Sequence, residues 1–177
     1  MKKVIIVALL LIVSLFFTNL TFAQDVASQS SQINYQLPYP GILPDNPLYF
    51  FKVLRDKIEE FLISDSQEKA KFDLLSADKR LSMGIALSDK KEYSLSETTI
   101  SKGENYFEDG IRNIERVEKE GRAVDPSILV SYDLSSKKHK EVIGGLVKET
   151  KGNLQKKFQE DLQRISGFID SVSKLRQ

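Results

Sequence analysis

Four of the chain's five prolines, Pro38, Pro40, Pro44 and Pro47, fall within ten residues. Proline fixes φ and has no amide hydrogen to donate, so residues 37–47 have to run extended or turned, close to polyproline II. Tyr39, Ile42, Leu43, Leu48 and Tyr49 stand among and just after the prolines, which makes this stretch a stiff apolar strap. Asn46 then offers an N-cap oxygen and Pro47 suits the first helical position. The strap is therefore expected to run directly into a helix from Pro47 to about Ile63.

Beyond it the periodicity is helical throughout. In the first helix Phe51, Leu54, Ile58, Phe61 and Leu62 recur at steps of three and four, with Lys52, Arg55, Asp56, Lys57, Glu59 and Glu60 opposite. Asp65 followed by Glu68 resembles a capping box and opens a second helix, whose seam is Ala70, Leu74, Ala77, Leu81 and Gly84. Its small residues point to close approach by a neighbour. A third helix from Glu92 to Glu120 is predicted to be frayed or bent before Gly103, where serine and threonine crowd, and regular over Phe107, Ile111 and Ile114. Gly121 stops it and Asp125-Pro126 starts a fourth, with Leu129, Tyr132, Ser136, His139, Ile143 and Leu146 on one face. The fifth carries Leu154, Phe158, Leu162, Ile165, Ile169, Val172 and Leu175. No strand-like alternation of useful length occurs. The prediction is an all-α chain of five amphipathic helices in an up-and-down antiparallel bundle.

The N-terminus has another purpose. Lys2 and Lys3 precede an apolar run from Val4 to Phe17, and Thr21-Phe22-Ala23 offers a cleavage site, the layout of a secretory signal. An uncleaved membrane anchor is the competing reading of residues 1–23. Gln24 to Gln36 is read as a Ser- and Gln-rich spacer, with Ile33 and Tyr35 isolated in it, and 37–177 as one helical domain. With no cysteine, lipid attachment, disulfides and thiolate chemistry are excluded. With Lys2 and Lys3 set aside, the 26 basic and 25 acidic residues nearly balance, so no field draws nucleic acid or an anionic membrane.

Reactive motifs are scarce. His139 is the only histidine and reads as a hydrogen-bonded core residue. The carboxylates lie mostly beside Lys or Arg and read as solvated charge. Glu104-Asn105 with Glu108-Asp109 lacks the alternating ligands of a calcium loop. No nucleophile elbow, Walker loop or dinucleotide fingerprint is present. Gly144-Gly145, inside a helical pattern, marks close packing or a weak point. No catalytic residue, cofactor or metal is assigned.

Leu37-Pro-Tyr-Pro-Gly-Ile-Leu-Pro-Asp-x-Pro-Leu-Tyr49, then Leu54-Arg55, Ala77-Asp-Lys-Arg80-Leu81 and His139-Lys-Glu-Val-Ile143 resemble the bacterial exported family catalogued as domain of unknown function 5667. The chain departs from it at Gly84 and at Lys151-Gly152. The resemblance implies a signal-bearing, helical, extracytoplasmic domain and transfers no catalytic residue. The reading is an exported, non-catalytic helical domain that binds or assembles at the cell envelope, with an envelope protein or a second copy as partner. The membrane enters only through an uncleaved N-terminus. Two alternatives stand beside it. One is a small extracytoplasmic ligand-binding protein or hydrolase, with Asp73, Asp78 or Arg80 converging on His139. The other is a regulator tethered by its uncleaved signal. In the strap, Tyr39, Ile42, Leu43 and Tyr49 are expected to fold over the bundle end and close its core. The sharper reading leaves Tyr39, Pro40, Ile42, Leu43, Pro44, Pro47, Leu48 and Tyr49 to receive a partner.

Overall fold

The computed structural model describes residues 33–176; the predicted signal, its cleavage after Ala23 and the spacer as far as residue 32 lie outside the described residues. Among the described residues five helices follow one another: α1 (Tyr49–Leu62), α2 (Ser66–Asp89), α3 (Tyr93–Lys119), α4 (Pro126–Glu149) and α5 (Gly152–Leu175). Chain neighbours are antiparallel, and the described residues form no strand.

The local signals explain most boundaries. Asp65 accepts hydrogen bonds from the amides of Gln67 and Glu68, and Asp125 accepts one from Ser127 just ahead of α4. Gly121 takes a left-handed φ of 71° after α3, and its amide and that of Arg122 bond back to Glu118 and Val117, a Schellman ending. Asn46 behaves differently from expectation. Its side chain accepts from the Leu48 amide and its carbonyl from Tyr49, so a turn uses up the cap and α1 begins two residues after Pro47. The start of α3 is also unlike the prediction, being regular rather than frayed. Thr98 and Thr99 bond back to the carbonyls of Ser94 and Leu95, and Ser96 donates to the Gly84 carbonyl on α2 at 2.7 Å. The buried hydroxyls of Ser96 and Thr99 are thus paired rather than stranded, so the helix runs through them unbroken.

The packed body is α2 to α5. Helix α2 lies against α3 and α4, and α5 against α3 and α4. Ala70, Leu74, Ala77 and Leu81 meet Ile100, Phe107, Ile111 and Ile114, with Tyr132, Ile143, Phe158, Ile165 and Val172 from α4 and α5. The small residues act as predicted. A Cβ on Gly84 would stand 2.3 Å from Ile100 Cγ1. One on Gly110 would stand 1.7 Å from Tyr132 Oη, whose hydroxyl donates to the Ala70 carbonyl at 2.8 Å. Gly144 and Gly145 are otherwise: a Cβ there meets nothing within 4 Å, so the expected close packing is not their reason.

The strap departs from its favoured reading. It runs alongside α2, held where Ser82 donates to the Pro38 carbonyl and where Asp45 pairs with Lys90. Leu37 alone of its residues packs on the core. Pro40, Leu43, Pro44 and Tyr49 are half-buried, Ile42, Pro47 and Leu48 exposed, and Tyr39 is 83% exposed. The strap thus does not close a bundle end.

Two opposite glycine outcomes follow. Gly110→Ala drives a methyl into the Tyr132 ring and is expected to lose about 1–3 kcal/mol, as overpacked cores do. Gly145→Ala fills open space in a helix and is expected to gain about 0.5–1 kcal/mol. Thermal unfolding of the two variants, which should shift Tm in opposite directions, checks both.

Candidate functional site

Three groups of residues have the chemistry or exposure to act. The first is buried where the N-terminal end of the described chain crosses α2 and α4. Asp78 on α2 is the hub. Its Oδ1 accepts from Ser135 Oγ at 2.6 Å and from His139 Nε2 at 3.1 Å, and its Oδ2 accepts from Tyr35 Oη at 2.6 Å. Ser135 and His139 are four apart on α4 and so share a face. The amide of Ile33 donates to Glu141 at 2.8 Å. Ile33 and Tyr35, read from the sequence as isolated residues of a spacer, are therefore fastened to the body. Burial, followed by the Asp78 charge, pushes the Tyr35 phenol well up, which keeps it a donor.

The cluster has the residue types of a hydrolase and the wrong connectivity. A nucleophilic serine needs the imidazole as its base. Here Ser135 and His139 both give their protons to one carboxyl oxygen, and the His139 Nδ1 has no hydrogen-bond partner. Asp78, Ser135 and His139 are all buried, with His139 also edge-on to Phe107. Of the groups expected to converge on His139, only Asp78 does so. Asp73 accepts from Asn113 at 2.8 Å, and Arg80 lies over the Tyr106 ring at 4.0 Å. A groove of about 290 Å³ opens beside Tyr35, Leu74, Asp78, Ile128 and Ser131, but the polar atoms facing it are already used. The arrangement is a clasp.

The second group is acidic and lies between α3 and α5. Glu97, Glu104 and Asp161 are buried, contrary to the expectation of solvated charge, because each occupies the apolar register of its helix. Burial first, and the neighbouring Asp161 second, push the Glu104 carboxyl up to about 9 against the pull of Arg164; burial and Glu97 push Asp161 up to about 6. Arg164 reaches Asn105 and Glu108 with one nitrogen, at 2.9 and 3.3 Å, and Glu104 with the other at 3.4 Å. A guanidinium thus stands where the sequence offered a weak calcium pattern. Among the described residues no group of three metal-ligating side chains gathers.

The third is a surface. Among the described residues helix α1 packs extensively against no other helix, and it is turned against expectation. Its polar side, with Lys52, Asp56 and Glu60, faces the body, and Asp56 is its only buried residue. Burial pushes the Asp56 carboxyl up, but hydrogen bonds from Lys52 and Arg55 outweigh this and hold it below its ordinary value. Phe50, Phe51, Leu54, Ile58, Phe61 and Leu62 point outward. A cavity of about 400 Å³ lies along this face, between Phe51, Leu54, Arg55, Ile58, Glu59 and Leu62. Among the described residues no helix is long and apolar enough to cross a membrane.

Sequence reasoning missed Tyr35, Ser135, Glu104 and Asp161. The last two could have been found from position, since Glu104 falls between Ile100 and Phe107 and Asp161 between Phe158 and Ile165 in the core spacing. Tyr35 had no such signal.

The clasp predicts that Tyr35→Phe, which keeps the ring and removes one donor, costs about 1.5–3 kcal/mol. Asp78→Ala strands three buried donors and is expected to cost about 3–5 kcal/mol. Urea denaturation of both checks the order. The acidic group sets a pH dependence. Folded pKa values raised above the unfolded ones mean that the folded chain holds protons that the unfolded chain gives up. That stabilisation is whole below about pH 4 and is lost as pH rises through about 6 for Asp161 and about 9 for Glu104. Urea midpoints should fall from pH 5 to pH 9. Glu104→Gln should flatten the fall, being on the order of 2–4 kcal/mol more stable than the wild type at pH 8 and close to it near pH 4.

Neither the curated proteins nor the solved structures give a match. A family model does, over residues 41–167. The match begins at Gly41, inside the strap, and runs through α1, α2, α3 and α4 into α5, so Leu37 to Pro40 of the sequence resemblance fall outside it. The chain belongs to the family described as Domain of unknown function (DUF5667).

Proposed function

We infer that this helical domain is exported and works at the cell envelope by binding, through the outward face of α1 and the adjoining strap. The observation that carries the reading is the orientation of α1. Its apolar side is turned away from the body, while its polar side, with the buried Asp56, faces it. Monomers rarely expose a contiguous apolar patch of more than a few hundred Å², and larger ones mark interaction surfaces. Tyr39, Ile42 and Leu48 extend the surface at the α1 N-terminus. The charged start, apolar run and Ala23 site of the N-terminus support export. The buried Asp78 cluster serves the same end by pinning the chain that leads into the strap. The hydrolase alternative gains nothing from it, since its serine and histidine point at one acid rather than at each other.

Two measurements test the reading. The chain recovered from medium or envelope should begin at Gln24; an intact chain confined to the cytosol ends the export part. Phe51→Glu/Phe61→Glu should keep Tm within about 2 °C, because neither side chain is in the core, and should shift the native full chain from a larger assembly to the size of a single chain. A fall of Tm by more than about 5 °C would make the face part of the fold, and unchanged migration would remove it as a binding surface.

A further inference from the structure

We propose that the occupant of the α1 face is a second copy of this chain, paired helix to helix and antiparallel. The proposal rests on the reading of that face as a binding surface and names what binds. At about 100° per residue the six apolar residues fall within an arc of about 120°, and their exposures run from 47% at Leu54 to 86% at Phe61. With on the order of 200 Å² for each large side chain, roughly 700–800 Å² is uncovered on each chain. Two such faces come to about 1,500 Å², the size of a standard specific interface.

The order of the residues selects the partner. Phe51, Leu54, Ile58 and Phe61 are separated by steps of three, four and three, the a and d spacing of a coiled-coil seam. That pattern is the same read from either end. Set antiparallel about a two-fold axis level with Asp56, Phe51 meets Phe61 of the second copy, Leu54 meets Ile58, and Phe50 meets Leu62. Each apolar residue has an apolar counterpart in a single register, the self-complementarity that a two-fold interface requires. The helix dipoles agree with the direction. Antiparallel pairing sets each N-terminal end of α1 beside a C-terminal end of the second copy, whereas parallel pairing sets like ends together. A lipid surface is the weaker fit. Three basic and three acidic residues leave α1 neutral, and helices that lie on anionic membranes carry a basic polar face.

The chain has no cysteine, so introduced thiols report without background. Full-length Leu54→Cys and Ile58→Cys chains, co-expressed and mildly oxidised in the cell, should form the mixed disulfide at least about tenfold over either same-variant product. Residues 54 of the two copies are offset by about 6 Å along the axis, which with the helix separation takes them beyond the reach of a disulfide. A mixed product only twice as abundant as the others would be random collision and would overturn the proposal. Predominant same-variant products, meaning parallel pairing, would overturn it as well, and so would no cross-link at all. If cross-linking fails while Phe51→Glu/Phe61→Glu still dissolves a larger assembly, the binding face stands and the second copy falls. Flotation of the wild-type chain with phosphatidylglycerol vesicles, lost in Phe61→Glu, would give the face to lipid and overturn the proposal.

Discussion

The body of this protein depends on the Tyr132 side chain lying in the space that Gly110 leaves open. From there its hydroxyl reaches the Ala70 carbonyl on α2, and its ring stands edge-on to Phe107 on α3, centroids 5.1 Å apart. One residue of α4 thereby sets the separation of α2 and α3 and its own depth between them. The contact requires that no Cβ stand at position 110 and that α2 present small residues, as Ala70 and Ala77 do. Helices of 24 and 27 residues, about 36 to 40 Å long, cross at a fixed height only if such a point is fixed. Phe107 then stacks on Phe168 of α5, and the four helices share one centre.

Around that centre the core is more polar than a domain without disulfides would suggest. Asp73, Asp78, Glu104, His139, Ser135 and Asp161 are all buried. Burying such groups is costly unless they are paired or neutral, and the chain uses both solutions. Asp78 gathers three donors. Glu104, whose oxygens have no hydrogen-bond partner, sits where burial favours the protonated form. These two devices have different consequences. The clasp specifies a geometry, because three donors on two segments must meet one acid on a third. The acidic group ties stability to pH, because its protons are lost as the medium becomes alkaline.

The fold was legible in the sequence because helical periodicity, Asp65, Asp125 and Gly121 all act locally. The start of α3 was misread for the complementary reason: Ser96 looks unfavourable alone, and only the Gly84 carbonyl on α2 shows where its hydroxyl goes. The polar core was half legible. Glu104 and Asp161 stand in the register of Ile100, Phe107, Phe158 and Ile165, and a charge in that register is either buried or breaks the seam. Tyr35 could not be read at all. Nothing local distinguishes a tyrosine in a spacer from one whose hydroxyl ends on an acid 43 residues away.

The orientation of α1 was beyond sequence reasoning for a deeper reason. Amphipathy fixes the axis along which a helix is polarised, but not which end of that axis faces the body. The usual assumption, apolar side inward, holds when the body is the only apolar surface on offer. Here the surface of α2 and α3 beneath α1 is itself polar, with Arg80 buried over Tyr106 and Asp73 beyond it. Tyr106 feels the charges of both Glu60 and Asp56, so the inward side of α1 answers a polar floor. Rolling α1 over would press its phenylalanines onto that floor and turn Asp56 outward together with Lys52 and Arg55, its partners on the same helix. It would hide the apolar stripe without giving it apolar neighbours. At about 25 cal/mol per Å², a stripe of this size leaves on the order of 10–20 kcal/mol of transfer free energy unclaimed in the single chain. The polar floor prevents the body from claiming it. The missing half of this helix packing is what the proposed second copy would supply.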